Sequence, residues 1–542
     1  MMNKFDEYFN VPKLANFEFK KPQPKKLPFS DGDMWLISGD FYGIQKFIFE
    51  GLGTKNAAKV LRAKSAFIQL FSEFIAKYIC EKLGISDDKM DDKIISLSAG
   101  KFEILSDKEP NLSEIKTKIN EYFIKNFYGL SGASIVAVKC EKEDFANSER
   151  YKKLRKEVAD EIEKVKFNKF NLQNFDNFVM NYDENITNQT LCKICNIRKD
   201  SGENCEICDI CDHFIALGQK LVSGKNEKIS IENLGIKFDD FKTDLTFDDG
   251  IKSYVFKEGG EICEFERLAE LSCKDSDKGV EAIAVLKADV DGMGNFIKNS
   301  DVTASYENFS VFSNGINDFF SLFVPALMRA KFPHTYTIFG GGDDLLLVGA
   351  WDEIIALSRE IRDEFEKFVE PLNKLGYGKL TISFGIVISK PNTPISYLAE
   401  ISESLLEKSK QHIDDENKEN DSKENFVKKN AITLFGESAN WGKYLGVYKE
   451  LMPKFEKFAN DDSLNTAFLY RLLEFCEMSK KVKFQSDHIA TMWKSKLNYA
   501  ISRNQSQNLQ NELYAMLDEK IENNPKETKM VISEFIYKRR KR

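Results

Sequence analysis

"FGGGDDLLLVG", residues 339–349, sets two adjacent carboxylates, Asp343 and Asp344, between a glycine run and an apolar run. Glycine permits a tight turn and a close backbone approach. The flanking apolar runs read as buried strands. Two acids on a lone surface turn would be unremarkable, but here a second acid pair, Asp289 and Asp291 in "ADVDGMG", ends another apolar run upstream. Between and beyond them lie the helical stretches "NFSVFSNGINDFFSLFVPALMRAKF" and "WDEIIALSREIRDEFEKFVEPLNKLG", then the strand "KLTISFGIVIS". The order is βαββαβ, the ferredoxin-like pattern, in which the first strand and the central hairpin are neighbours. The acids of both can therefore converge.

The same order occurs earlier in the chain. "MWLISGDFYGIQKFIF" is strand, turn and helix; "KIISLSAGKFEILSD" is a hairpin about a glycine; "LSEIKTKINEYFIKNFY" is helical and "ASIVAVKC" is a strand. Laid over the later copy, Asp40 matches Asp289, Gly43 matches Gly292, and Phe47 and Ile48 match Phe296 and Ile297. "SAGKFEIL" falls on "GGGDDLLL" with Gly100 against Gly342, so that Lys101 and Phe102 replace the two aspartates. An internal repeat of this kind implies two copies of one domain. The expected fold is α+β and multidomain: an N-terminal arm over 1–32, a first palm over 33–145, a helical insert with cysteines over 146–280, a second palm over 281–439 and a C-terminal helical bundle over 440–542.

Bulk properties bound the rest. The chain has 542 residues, 42% of them hydrophobic and 30% charged, with a net charge of −8. It reads as a soluble, cytoplasmic protein without a membrane span or a secretory signal. The acidic balance excludes a surface that binds nucleic acid everywhere and leaves only local patches or partner subunits for that. "KKPQPKKLPF" reads as an extended arm, "IDDENKENDSKENFVKKN" as a solvated loop, and the basic C-terminus as a frayed or nucleic-acid-touching tail. Five of the ten cysteines fall between 192 and 211, as "CKIC" and "CEICDIC". Two CxxC pairs at this separation can bring four thiolates round a tetrahedral Zn²⁺ of structural type.

The converging carboxylates would repel one another unless a divalent cation sat among them, and oxygen-only ligands favour Mg²⁺ or Mn²⁺. Two such ions activate an attacking hydroxyl and stabilise a departing pyrophosphate. The pattern is that of a palm-type nucleotidyltransferase.

"SGDFYGIQKFIFEG", "LRAKSAFIQLF", "LKADVDGMGNF", "FGGGDDLLLVG", "LTISFGIVIS" and the cysteines followed by "LGQKL" resemble the large subunit of type III CRISPR effector complexes, the Csm type more than the Cmr type. The resemblance implies a target-RNA-activated enzyme that makes cyclic oligoadenylate from ATP, bound to crRNA and target RNA through the small and backbone subunits of its complex. It implies Asp289, Asp343 and Asp344 as catalytic, metal-binding acids. Asp291 is a further candidate that can equally serve only to cap the turn. Gly341 and Gly342 shape the hairpin, and Asp40 and Gly100 belong to a non-catalytic palm that holds a second nucleotide. The zinc ligands it favours are Cys192, Cys195, Cys208 and Cys211, with Cys205 an alternative to Cys208. Many such subunits begin with an HD nuclease domain. Here the first palm starts near Met34 and no His-Asp dipeptide occurs among the four histidines, so no single-stranded DNase activity is expected. The rival readings are a GGDEF-like diguanylate cyclase, against which the doubled palm argues, and a non-catalytic scaffold subunit, against which the intact acids argue.

Overall fold

The structure is a computed structural model. It describes residues 4–540 apart from 31, 51, 53–55, 99, 168–190, 202–205, 222–226, 231–237, 239–240, 242, 248–253, 274–277, 413–428, 461–463 and 505–506. Cys205 and nearly all of the charge run after His412 lie outside the described residues.

The N-terminal third forms an antiparallel sheet of β1 (Met34–Tyr42), β2 (Ile94–Ser98), β3 (Lys101–Ser106) and β4 (Gly132–Cys140), in the order β2-β3-β1-β4. Its strands are apolar on both faces, so both must be covered. Ile37 and Phe41 of β1 share a core with the helices Ala57–Lys82 and Leu112–Phe127. Met34 and Leu36 share another with Tyr151, Leu154 and Val158 of the helix Ser148–Phe167.

Two short hairpins follow, β5 (Glu227–Ser230) with β6 (Asp244–Phe247) and β7 (Lys257–Glu258) with β8 (Glu261–Ile262). The segment between the palms is therefore mixed rather than wholly helical. A second sheet then contains β9 (Ile283–Asp291), β10 (Thr335–Gly341), β11 (Asp344–Ala350), β12 (Thr381–Ser389), β13 (Ala431–Leu434) and β14 (Glu437–Asn440), in the order β10-β11-β9-β12-β13-β14. Its first four strands repeat the order of the first sheet, the ferredoxin-like one. β13 runs parallel to β12. Such pairing needs a crossover, and the helix Ile395–Lys410 lies within it. β14 returns through Phe435 and Gly436, both at positive φ as a two-residue hairpin turn of this hand requires.

The two sheets share one interior. Tyr336, Ile338, Leu346 and Val348 of the second sheet pack in the same cluster as the helix Ala57–Lys82. That explains why this helix is buried nearly all round rather than along one stripe. Tyr336 Oη donates to the Ala58 carbonyl, and Tyr306 Oη to that of Ile95 at 2.8 Å.

The arm is more than a linker. A short helix, Lys4–Tyr8, leads Phe5, Phe9 and Phe19 into the core of the second palm, where Phe9 stacks on Phe368 at 4.4 Å. The C-terminal helices do not own a separate core either. Leu451, Phe455, Leu472 and Val531 belong to the cluster that underlies β9 and β12. Up to Arg540 the tail is docked rather than frayed: Gly279 N donates to the Arg540 carbonyl at 2.7 Å, and Val280 N to that of Tyr537 at 3.0 Å.

Candidate active site

β11 pairs with β9 so that Asp344 lies opposite Asp289. Directly opposed residues of adjacent strands point to the same face. The β10–β11 turn consists of Gly342 and Asp343, between the paired residues Gly341 and Asp344, with Gly342 at φ +63°. Asp343 thus stands at the tip, beside the Asp289–Asp344 pair. Burial pushes the Asp344 carboxyl up to about 6, with Lys287 opposing the rise and Asp289 and Asp343 adding to it. Burial and then Asp289 raise that of Asp343 as well. Lys410, the last residue of the helix Ile395–Lys410, holds its Nζ 2.8 Å from Asp289 Oδ1. Lys287 is buried beneath the acids and bonded to Glu403. A carboxylate group of this kind suits a hard divalent cation, with the two lysines balancing charge at its edge.

Asp291 is engaged elsewhere. It is 2% exposed, and its Oδ2 accepts from Thr381 Oγ1 at 2.9 Å, Ser383 Oγ at 2.7 Å and Asn430 N at 2.9 Å. These bonds tie β9 to β12 and to the start of β13, the work of a structural clamp. The structure does not bring Asp291 into the group formed by the hairpin acids.

In the first palm Lys101 lies opposite Asp40, as Asp344 lies opposite Asp289. The match is therefore Lys101 to Asp344 and Gly100 to Asp343, one residue from the glycine-on-glycine alignment. A one-residue slip moves every side chain to the other face. Phe102 accordingly replaces no acid: it is fully buried behind Gly39, where a Cβ would fall 2.1 Å from its ring. Lys166 Nζ lies 2.6 Å from Asp40 Oδ2. A cavity of about 840 Å³ separates the two palms, lined by Asp40, Lys101 and Lys166 on one side and Gly342, Asp343 and Asp344 on the other. Gly100 and Gly341 are buried and are not among its lining residues.

Cys192, Cys195, Cys208 and Cys211 come together, all buried, with their sulfur atoms within 4.8 Å of one another. Among the described residues this is the one group of three or more His, Cys, Asp or Glu side chains so tightly gathered. The three hairpin-side aspartates stand less close. Hydrogen bonding to Cys208 and Cys211 draws the Cys195 thiol far down, while bonding to Cys195 and Cys208 pushes Cys211 up. Four soft, buried donors with no disulfide among them fit a closed tetrahedral Zn²⁺ site. The cluster is fused to the first palm. Arg198 Nη2 donates to the Asn126 carbonyl at 2.7 Å, and Gly218 lets the helix Asp209–Lys220 approach so closely that a Cβ would fall 2.4 Å from the Lys59 carbonyl oxygen. His213 is exposed.

Lys166, Lys287 and Lys410 carried no signal in the sequence. Lysines in the last turn of a helix, as Lys166 and Lys410 are, are usual for its dipole, and only folding reveals the carboxylates that they and the strand residue Lys287 meet.

Residues 282–420 match the family model for the Cas10/Cmr2 second palm domain, and residues 33–183 that for Csm1 subunit domain B. The chain belongs to the Cas10/Csm1 family. It is 28% identical over 494 residues to a Methanocaldococcus jannaschii protein and 23% identical over 477 residues to one from Streptococcus thermophilus, each described as a CRISPR system single-strand-specific deoxyribonuclease Cas10/Csm1 of subtype III-A. These matches cover 75% and 81% of this chain but only 59% of either relative. This Cas10/Csm1 chain thus spans about three fifths of the relatives' length. Its fold is also that of the Csm1–Csm4 cassette solved with cA3, at TM-score 0.65 and 20% identity over 94% of this chain and 70% of that one. The cassette with one ATP is equally similar, at TM-score 0.65 and 20% identity, with the same coverage.

Proposed function

We propose that this chain synthesises cyclic oligoadenylates from ATP as the large subunit of a type III CRISPR effector complex, activated by target RNA. The observation that carries the reading is the register of β9 and β11, which sets Asp289 beside Asp344 with Asp343 at the turn, Asp343 and Asp344 lining a cavity between the two palms. The cavity, about 840 Å³, lies toward the upper end of the ~300–1,000 Å³ range of small-molecule sites. The relatives solved with ATP, pppApA and cA4 support adenine nucleotides as its occupants. Asp289, Asp343 and Asp344 would hold the Mg²⁺ or Mn²⁺, which supplies activation of the attacking 3′-hydroxyl and neutralises the pyrophosphate that leaves.

The chain's own groups do the rest. Asp289 and Asp344, kept together by the β-ladder, fix where charge is received. Lys101 and Lys166 place cations on the opposite wall, where the phosphates of the second nucleotide would lie. Lys410 balances the charge of Asp289. The first palm offers only Asp40 where the second has three acids, and it acts by orienting the acceptor nucleotide. The cysteine cluster holds a structural zinc ion. A Csm4-like subunit is the partner that the solved cassettes support.

The test is incubation of the assembled complex with labelled ATP or GTP, with and without target RNA. Cyclic adenylates that depend on the RNA, and that vanish when Asp343→Ala and Asp344→Ala are combined while assembly persists, are the expected result. A product from GTP alone would favour the diguanylate cyclase reading. Unchanged output in the doubly substituted protein would refute the site.

A further inference from the structure

The helical run from Tyr306 to Lys331 is interrupted by a π-helical turn over Phe319–Phe323. Its cause is Pro325, which lacks an N–H and crowds the carbonyl four residues back, that of Ser321, so the ladder widens ahead of it. The wide turn begins just past Asn317, whose side chain leaves the helix toward the acidic hairpin. Asn317 Oδ1 accepts from Gly342 N at 3.0 Å, and its Nδ2 is steadied by Ser321 Oγ at 3.4 Å.

The helix itself is fixed on its far side. Gly315 lets the Phe9 ring pack so closely that a Cβ would fall 2.4 Å from it. On the near side Phe312 and Ile316 line the cavity together with Gly342 and Asp343. The turn it holds needs holding. A Cβ built on Gly342 would meet nothing within 4 Å, so the turn is open on that side, and besides Asn317 only the Val290 N–H, donating to the Asp343 carbonyl at 3.2 Å, is seen to hold it among the described residues. The charge beside it favours opening.

We propose that Asn317 is a positioning residue for the acidic hairpin, fixing the Gly342–Asp343 turn through its side-chain carbonyl so that Asp343 is aimed at the cation site. This rests on the reading of Asp343 and Asp344 as cation-holding groups.

The experiment uses the full chain with Mn²⁺ alone as probe, read by electron paramagnetic resonance. Hydrogen exchange of the hairpin, and ATP turnover in the assembled complex, are read alongside. Asn317→Ala should weaken Mn²⁺ binding about tenfold, the scale of one lost hydrogen bond. It should lower kcat about a hundredfold, as a small misplacement of reacting groups does, with the KM for ATP nearly unchanged. Exchange should quicken in the hairpin and nowhere else. Asn317→Asp keeps an accepting oxygen and should retain hairpin protection, with Mn²⁺ affinity no weaker than wild type because it adds a carboxylate near the site.

Wild-type affinity and kcat in Asn317→Ala would overturn the proposal. So would equal losses in both variants with protection lost along the whole chain, which would make the residue merely structural. Unchanged Mn²⁺ binding when Asp343→Ala and Asp344→Ala are combined would overturn the site reading itself, and this inference with it.

Discussion

Asp289 and Asp291 stand two residues apart on one face of one strand, and their surroundings give them opposite duties. Three donors from β12 and the start of β13 converge on one oxygen of Asp291, while Asp289 meets Lys410, Lys287 and the hairpin acids. "DVD" contains no trace of that division, because it is made by Thr381, Ser383 and Asn430, which lie some ninety residues and more downstream. Asp344 shows what such placement costs. Its carboxyl rises from 3.8 to about 6, so between those pH values the folded chain binds more protons than the unfolded one and loses stability as pH rises. Above about pH 6 the penalty is complete. Asp344→Asn should therefore stabilise the metal-free chain at pH 7 by about 1–2 kcal/mol, discounted from the full shift because the side chain reaches the cavity. The gain should fade toward pH 4. Thermal melts of the two proteins in chelator across that range check both the sign and the window.

At the scale of elements, the hairpins show how far pattern reading goes. Their existence and their glycines were plain, yet matching glycine to glycine slid the first palm by one residue. The ladder corrects it, since Phe102 must enter the core and Lys101 must then face Asp40. The strands β13 and β14 escaped notice because each is four residues long and gains its partners only after a crossover. Pro325 was visible, but the π turn it forces has no signature of its own. The cysteine element was the most legible, since its spacing nearly dictates its chemistry. Cys192→Ser with Cys195→Ser should abolish stoichiometric zinc, read by elemental analysis of protein purified without added metal. It should also expose the first-palm face that Phe214 and Leu217 cover, read as faster exchange in the helix Ala57–Lys82. A stable, metal-free variant with that helix still protected would remove zinc from the structural account.

Across the whole molecule, the units overlap in their cores. The N-terminal aromatics lie in the second palm, and the C-terminal helices continue its interior. A buried ion pair crosses the latter junction: Arg359 Nη1 and Nη2 donate to the two Glu534 carboxylate oxygens at 2.9 and 3.1 Å, and Lys538 Nζ lies 3.1 Å from Glu534 Oε1. Burial acts to raise the Glu534 carboxyl, and Arg359 overcomes it, leaving it lowered. Removing one partner strands a buried charge, at a cost of about 3–5 kcal/mol. Glu534→Gln should thus lower the urea midpoint of the second palm and the C-terminal helices together. Two separate transitions, with only the helices affected, would show that they fold as an independent domain after all.

The sequence by itself determined the doubled βαββαβ order, the acids of the second hairpin and the cysteine cluster, though not which four of its five thiols, because each is written in local spacing: period two, turn glycines, CxxC. Tertiary structure alone decided which acid of a pair joins the hairpin acids, which lysines meet them, how the first hairpin is registered and where the arm and tail are anchored. Those choices depend on contacts between residues tens to hundreds of positions apart. A side chain's neighbours, unlike its period, are fixed only when the sheets close on a common core.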